Sequence, residues 1–175
     1  MKLAIALFSA VLAVPAMADP GVSDAAKSEM AKLSRMAGKW SGSGWMDIPR
    51  AGRHTFDSEE TVEPKLGGAA LLIEGLHRDA QSRAVVHHAL GLLSYDLQAK
   101  GYRMSTALAN GRGGSFAASV DGHRFIWTIE SPGVPTRRFT ISFEDANRWV
   151  EIGEYSLDGG AQWTRFFEME LKRVK

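Results

Sequence analysis

Three rhythms of apolar and polar residues follow one another along the chain. Leu3 to Val14 is an apolar run broken only by Ser9. From Ser23, the apolar residues Ala26, Met30, Leu33 and Ala37 recur at steps of three and four, with Lys27, Glu29, Lys32 and Arg35 between them. That spacing predicts a helix, and Gly38 stands where it should stop. Beyond Gly38 the period falls to two, the signature of strands with one wet and one buried face. The clearest case sets Phe139, Ile141 and Phe143 against Arg138, Thr140, Ser142 and Glu144.

About ten strands are predicted on this basis. They run over Lys39 to Ile48, Arg53 to Glu63, Leu66 to Arg78, Arg83 to Tyr95, Tyr102 to Leu108, Gly114 to Val120, Arg124 to Ser131, Arg137 to Glu144, Arg148 to Ser156 and Gln162 to Arg173. Short joints with turn residues separate them: Pro64 to Gly68, Asp79 to Ser82, Asp96 to Gly101, Asp121 with Gly122, and Asp158 to Gly160. Short joints make consecutive strands pair as an antiparallel up-and-down meander. A meander this long closes into a barrel, because closure removes exposed edges. The expected fold is therefore all-β with a short N-terminal helix.

The first apolar run has a different meaning. Lys2 supplies a positive start, Pro15 ends the run, and Ala16, Met17 and Ala18 give the small-x-small pattern of a cleavage site. The run is too short to span a bilayer. Residues 1–18 are thus expected to be a secretory leader, with 19–37 a helical segment and 38–175 the barrel. The mature chain would start at Asp19, reside in the periplasm or outside the cell, and carry no membrane segment.

The leader contains Lys2 and no acid, so the 21 basic and 20 acidic residues of the chain become 20 and 20 after cleavage. A near-neutral chain without runs of like charge lacks the footprint of a nucleic-acid binder. Cysteine is absent, so stability in an oxidising compartment must come from a hydrophobic core. The roughly 157 remaining residues suffice for one such core.

The run Met36-Ala37-Gly38-Lys39-Trp40-Ser41-Gly42-Ser43-Gly44 has G-x-W-x-G-x-G spacing after a short helix. It resembles the opening strand of lipocalin-like, calycin-type barrels. Leu66-Gly67-Gly68, the stretch from Gly91 to Asp96 followed by Lys100-Gly101-Tyr102, and the closing pattern from Asp158 through Trp163 to Met169 are similar to an uncharacterised family of exported bacterial domains with this barrel. The resemblance implies a fold and no activity. Haem-binding, nitrobindin-type barrels share the W-x-G-x-G opening and hold iron with a histidine near the end of the chain. Thr164 to Leu171 contains none, and Met169 beside two phenylalanines reads as core, so neither cofactor nor metal is expected.

Trp40, Gly42, Gly44 and Met46 share one face of their strand, which lets the indole plug one end of a barrel while the glycines remove bulk beyond it. The histidines carry the remaining chemistry. His87 and His88 are neighbours in a strand and point to opposite faces. If the turn at Asp79 to Ser82 sets Arg78 opposite Arg83, then Glu74 meets His87 on one face. His88 then joins Leu71, Ile73, Val86 and Leu90 on what looks like the interior. The same parity sends Leu93, Tyr95, Tyr102 and Met104 outward, against their character, so either a bulge near Gly91 flips the register or the first pairing is displaced. His88 is accordingly read as a core histidine or a polar anchor in a cavity. Glu59, Glu60 and Glu63 read as a charged solvent face.

No cysteine nucleophile, G-x-S-x-G elbow, H-E-x-x-H pair or phosphate loop is present. Three classes of function fit: a barrel binding a small apolar or amphipathic molecule, an enzyme using a histidine or carboxylate in the cavity, and an interaction module with a packed interior. The first is the leading expectation, with Trp40, His88, Phe125, Trp127, Phe139 and Ile141 as ligand-binding positions. Oligomeric state and ligand identity are not legible.

Overall fold

A computed structural model describes residues 21–174. The expected leader, residues 1–18, and its expected cleavage site lie outside the described residues. Ser23 starts helix α1, Asp24–Ala31, by accepting a hydrogen bond from the Ala26 amide, and Asp24 places a negative charge in the first turn. The helical pattern continues to Met36 as a separate 3-10 turn, Ser34–Met36. Gly38, at φ +134°, swings the chain into the first strand, a conformation that favours glycine.

Ten strands follow: β1 Gly38–Ile48, β2 Gly52–Lys65, β3 Ala70–Asp79, β4 Val85–Asp96, β5 Gly101–Leu108, β6 Gly113–Asp121, β7 Arg124–Ile129, β8 Thr136–Ser142, β9 Arg148–Ser156 and β10 Thr164–Arg173. Each pairs antiparallel with its neighbours in sequence, and β1 pairs with β10 to close the barrel. The fold expected from the period-two pattern is the one observed. The predicted strand start at Leu66 is displaced, because Leu66–Gly68 forms a 3-10 turn with Gly67 at φ +62°.

The helical segment covers one end of the barrel. Met30, Leu33 and Met36 join Trp40, Phe143 and Trp149 in the buried core. The Trp40 indole N–H donates to the Met36 carbonyl at 2.9 Å, and the Tyr102 hydroxyl donates to the Glu29 carbonyl at 3.0 Å. Arg173 locks this end. Its guanidinium lies 4.1 Å from the Trp40 ring and donates to the carbonyls of Arg35, Ala37 and Ala146. The opposite end carries the β1–β2, β3–β4, β5–β6, β7–β8 and β9–β10 connections, with no helix among the described residues.

Candidate functional site: the barrel lumen

Register decides what the lumen contains. The β3–β4 connection is wider than a tight turn at Asp79 to Ser82. Asp79 Oδ1 accepts from the amides of Gln81 and Ser82, Arg83 takes φ +63°, and Asp79 and Ala84 are joined by a backbone bond. A bulge then separates the His77–His87 pair from the Arg78–Val85 pair. Glu74 therefore meets Leu90 instead of His87, a displacement of three residues. An odd displacement exchanges the two faces. His87, Gly91, Leu93 and Tyr95 face inward, together with Met104 and Tyr102 across from the last two. The expectation that His88 faces inward is thus corrected. Its side chain is 42% exposed and reaches Glu74 across the outer surface at 3.0 Å.

Inside, β2 presents Phe56, Ser58, Glu60 and Val62. Glu60 was read as part of a solvent face, yet it is buried. Its Oε1 lies 3.1 Å from His77 Nε2 and accepts from the Ser58 hydroxyl at 3.4 Å. Its other oxygen lies over Gly75, where a Cβ would stand 2.6 Å away, so a side chain at that position would displace the carboxyl. From β9 a second buried acid, Glu151, faces the lumen and accepts only from the Trp149 indole at 3.4 Å. Burial drives the Glu60 carboxyl up to about 8. Burial, reinforced by the field of Glu60, drives Glu151 up to about 8 as well. Burial pushes His77 down to about 4. His87 also falls to about 4, first through burial and then through the nearby imidazoles of His77 and His88. Burial thus favours the uncharged form of both partners in the Glu60–His77 contact.

Aromatic rings cross the lumen beside this group. Phe116 contacts Trp127, Trp127 stacks on Phe139 at 4.6 Å, and Phe139 meets Phe167. Phe167 stacks on Phe56, Phe56 on His77 at 4.6 Å, and His77 leans on His87. Toward the covered end the inward residues are sealed: Trp40, Phe125, Ile141 and Trp149 retain 2% exposure or less. Toward the uncovered end, Met46, His87, Phe116, Trp127, Phe139 and Tyr155 are only half-buried. Trp127 Nε1 is also, among the described residues, the one sealed side-chain nitrogen or oxygen without a hydrogen-bond partner.

Five of the six sequence-derived positions face the lumen and divide between its two halves, with His88 left outside. Trp127 and Phe139 form the wall at the open end. Phe125 and Ile141 lie in the sealed part, and Trp40 plugs the covered end. The glycines do not create room as expected. A Cβ on Gly44 would come within 2.7 Å of Phe56 and Met169, one on Gly91 would press on Met104, and one on Gly42 would overlap the Glu170 carbonyl. Neighbouring atoms already fill each notch. Sequence reasoning missed Glu60, His77 and Glu151, although Glu60 shares the parity of Phe56 and Val62, a signal that was present. No group of three metal-ligating side chains occurs among the described residues, and no helix among them is long and apolar enough to cross a membrane.

The chain matches no protein-family model and no curated sequence. Solved structures do resemble it. Rv2717c from Mycobacterium tuberculosis superposes with a TM-score of 0.62 at 16% identity, over 83% of this chain and 97% of that one. The S-type phycobiliprotein lyase CPES from Guillardia theta superposes with a TM-score of 0.55 at 10% identity, over 89% of this chain and 99% of that one. Both neighbours are lipocalin-like barrels, and at these identities the likeness is one of fold.

Proposed function

We propose that this protein is an exported lipocalin-like barrel that holds one small apolar or amphipathic molecule at its uncovered end. The observation that carries this reading is the contrast between the two halves of the lumen. Trp40, Phe125 and Trp149 are sealed beside the helix, whereas Phe116, Trp127, Phe139 and Tyr155 at the other end are only half-buried. A half-exposed aromatic wall gains from an apolar occupant at about 25 cal/mol per Å² covered. The sealed, unpartnered Trp127 N–H supports the same reading, because a small shift of Phe116 or Phe139 would admit an acceptor to it. That one barrel of this shape is a phycobiliprotein lyase supports use of the fold for work on other molecules.

Titration with fatty acids, isoprenoids and hydrophobic dyes tests the reading through tryptophan fluorescence. Saturable quenching is expected in the wild type, with affinity reduced about tenfold in Trp127→Phe if the indole donates to the ligand. His88→Ala should leave binding unchanged, since that imidazole lies on the outer surface. If nothing saturates, the interior is a packed core and the binding assignment fails.

Export rests on the pattern from Lys2 to Ala18. N-terminal sequencing of the protein recovered from a secreting host should begin at Asp19, whereas a folded exported species retaining Met1 would contradict it.

A further inference from the structure

We propose that the molecule taken up by this lumen is a lipophilic amine, bound as its ammonium ion between Glu60 and Glu151. The proposal rests on the reading of the lumen as a binding site and adds the chemistry of the ligand's polar end.

The charges available inside the barrel set that chemistry. Between its two rims, the inward positions of the described residues offer two carboxyls, Glu60 on β2 and Glu151 on β9. They also offer two imidazoles, His77 on β3 and His87 on β4, and three phenols, Tyr95 and Tyr102 toward the covered end and Tyr155 toward the uncovered one, where His54 and Asp79 stand at the rim. No lysine or arginine joins them. Arg137 shares the inward parity of Phe139 but stands exposed at the rim. Arg173 is engaged with Trp40 and three carbonyls at the other rim. Two buried acids without a fixed cation are costly to fold around. A ligand that brings positive charge and several N–H donors converts that cost into affinity.

The carboxyls are also reachable. Glu60 Oε2 and Glu151 Oε1 accept no hydrogen bond from the chain, since the Ser58, His77 and Trp149 contacts fall on the other oxygens. Neither oxygen is sealed, because Trp127 Nε1 alone is both sealed and unpartnered among the described residues that are not exposed. Glu60 retains 6% and Glu151 8% exposure although both point inward, so that surface belongs to the lumen. In the proposed complex the ammonium reaches in to the level of Trp40 and Ile141, the ladder partners of Glu60 and Glu151, while its chain lies along Phe56, Phe167 and Phe139 toward the uncovered end. Those ring faces further favour a cation over a neutral or anionic group. A fatty acid would instead add a third carboxyl to the site.

Binding then exchanges charge for charge. Both acids hold their protons at neutral pH, so when the ammonium enters, one carboxyl loses its proton to solvent and faces the cation as carboxylate. No covalent bond to the ligand forms or breaks.

Calorimetric titration of the full mature chain with octylamine, octanol and octanoate tests this. Octylammonium should bind about tenfold tighter than octanol, with octanoate weakest. Its heat of binding should differ between buffers of high and low ionisation enthalpy, in proportion to about one proton released per ligand. Its affinity should rise with pH and level off near about pH 8, where the acids lose their protons unaided. Glu60→Gln and Glu151→Gln, checked for retained fold by circular dichroism, should each weaken octylammonium about tenfold and remove its preference over octanol. If octanol binds and octylammonium binds no tighter without releasing a proton, the amine assignment is overturned and the binding site stands. If none of the three saturates, the binding site itself is overturned.

Discussion

Trp40→Ala should remove about 3 to 5 kcal/mol of stability, read from the shift of a urea unfolding curve. The side chain is 1% exposed. Its ring meets Trp149 edge-on at 5.7 Å and Phe143 at 6.2 Å, and it carries the Arg173 guanidinium on one face. The indole N–H also fixes the Met36 carbonyl, so truncation leaves a cavity and frees the end of the helical segment together. Arg173→Ala should cost less, about 1 to 3 kcal/mol, since the cavity is avoided and the loss is hydrogen bonds and ring contact at a partly exposed site. Equal and small effects of the two substitutions would mean that this end of the barrel is not a rigid plug.

Thermal stability should be highest in mildly acidic solution and fall as pH rises from about 6.5 to about 8. The four buried groups fix the sign. Glu60 and Glu151 lose their protons near 8 in the folded chain against 4.5 as their ordinary value, so the folded state holds more of their protons throughout that window. Stability from them is complete below the ordinary value and is lost as pH rises through the folded one. His77 and His87 act in the opposite sense, because their folded values near 4 lie below the ordinary 6.5. They oppose the acids between about 4.5 and 6.5, which leaves a plateau there, and contribute no further change above it. At lower pH, the exposed carboxylates that hydrogen bonds hold below their usual range, among them Asp47, Asp79 and Asp158, become protonated and stability falls again. The loss between about pH 6.5 and about pH 8 should be on the order of 2 kcal/mol, or about 5 °C in Tm. The double variant Glu60→Gln, Glu151→Gln should flatten it. A wild-type Tm that holds level or rises across this window would show that the two acids ionise freely in the folded chain.

Parity is what made the barrel legible. Phe139, Ile141 and Phe143 alternate with polar residues without interruption, and Trp40, Gly42, Gly44 and Met46 keep one face through eleven residues of strand. The site was legible only in part, because a binding surface depends on which strand faces which. At Asp79 the decisive information lies in how one aspartate gathers the amides of the following residues and in the left-handed Arg83. Arginine gives no sign that it will adopt such a conformation, so the displaced pairing was invisible and His88 exchanged places with His87. Glu60 was hidden differently. Beside Glu59, and with Glu63 close by, it reads as one more solvated charge. Only its position in step with Phe56 and Val62, and the missing side chain at Gly75 across the ladder, mark it as buried. The apparent emptiness of Gly42, Gly44 and Gly91 failed for a related reason. Counting missing side chains along one strand cannot show that a carbonyl of β10, a ring of β2 or a thioether of β5 has moved into the gap.

The closure between β1 and β10 also sets an order of events for the newly made chain. Every other ladder joins consecutive strands and can zip as soon as both have emerged. Gly42, however, finds Leu171 only when nearly the whole domain is available, and the entropy of drawing in so long a segment opposes the contact until the intervening hairpins have shortened the path. Until then β1 keeps one edge unpaired and Arg173 cannot reach the turn that follows α1. A newly made chain would thus carry zipped hairpins beside one unclosed edge until its last strand arrives.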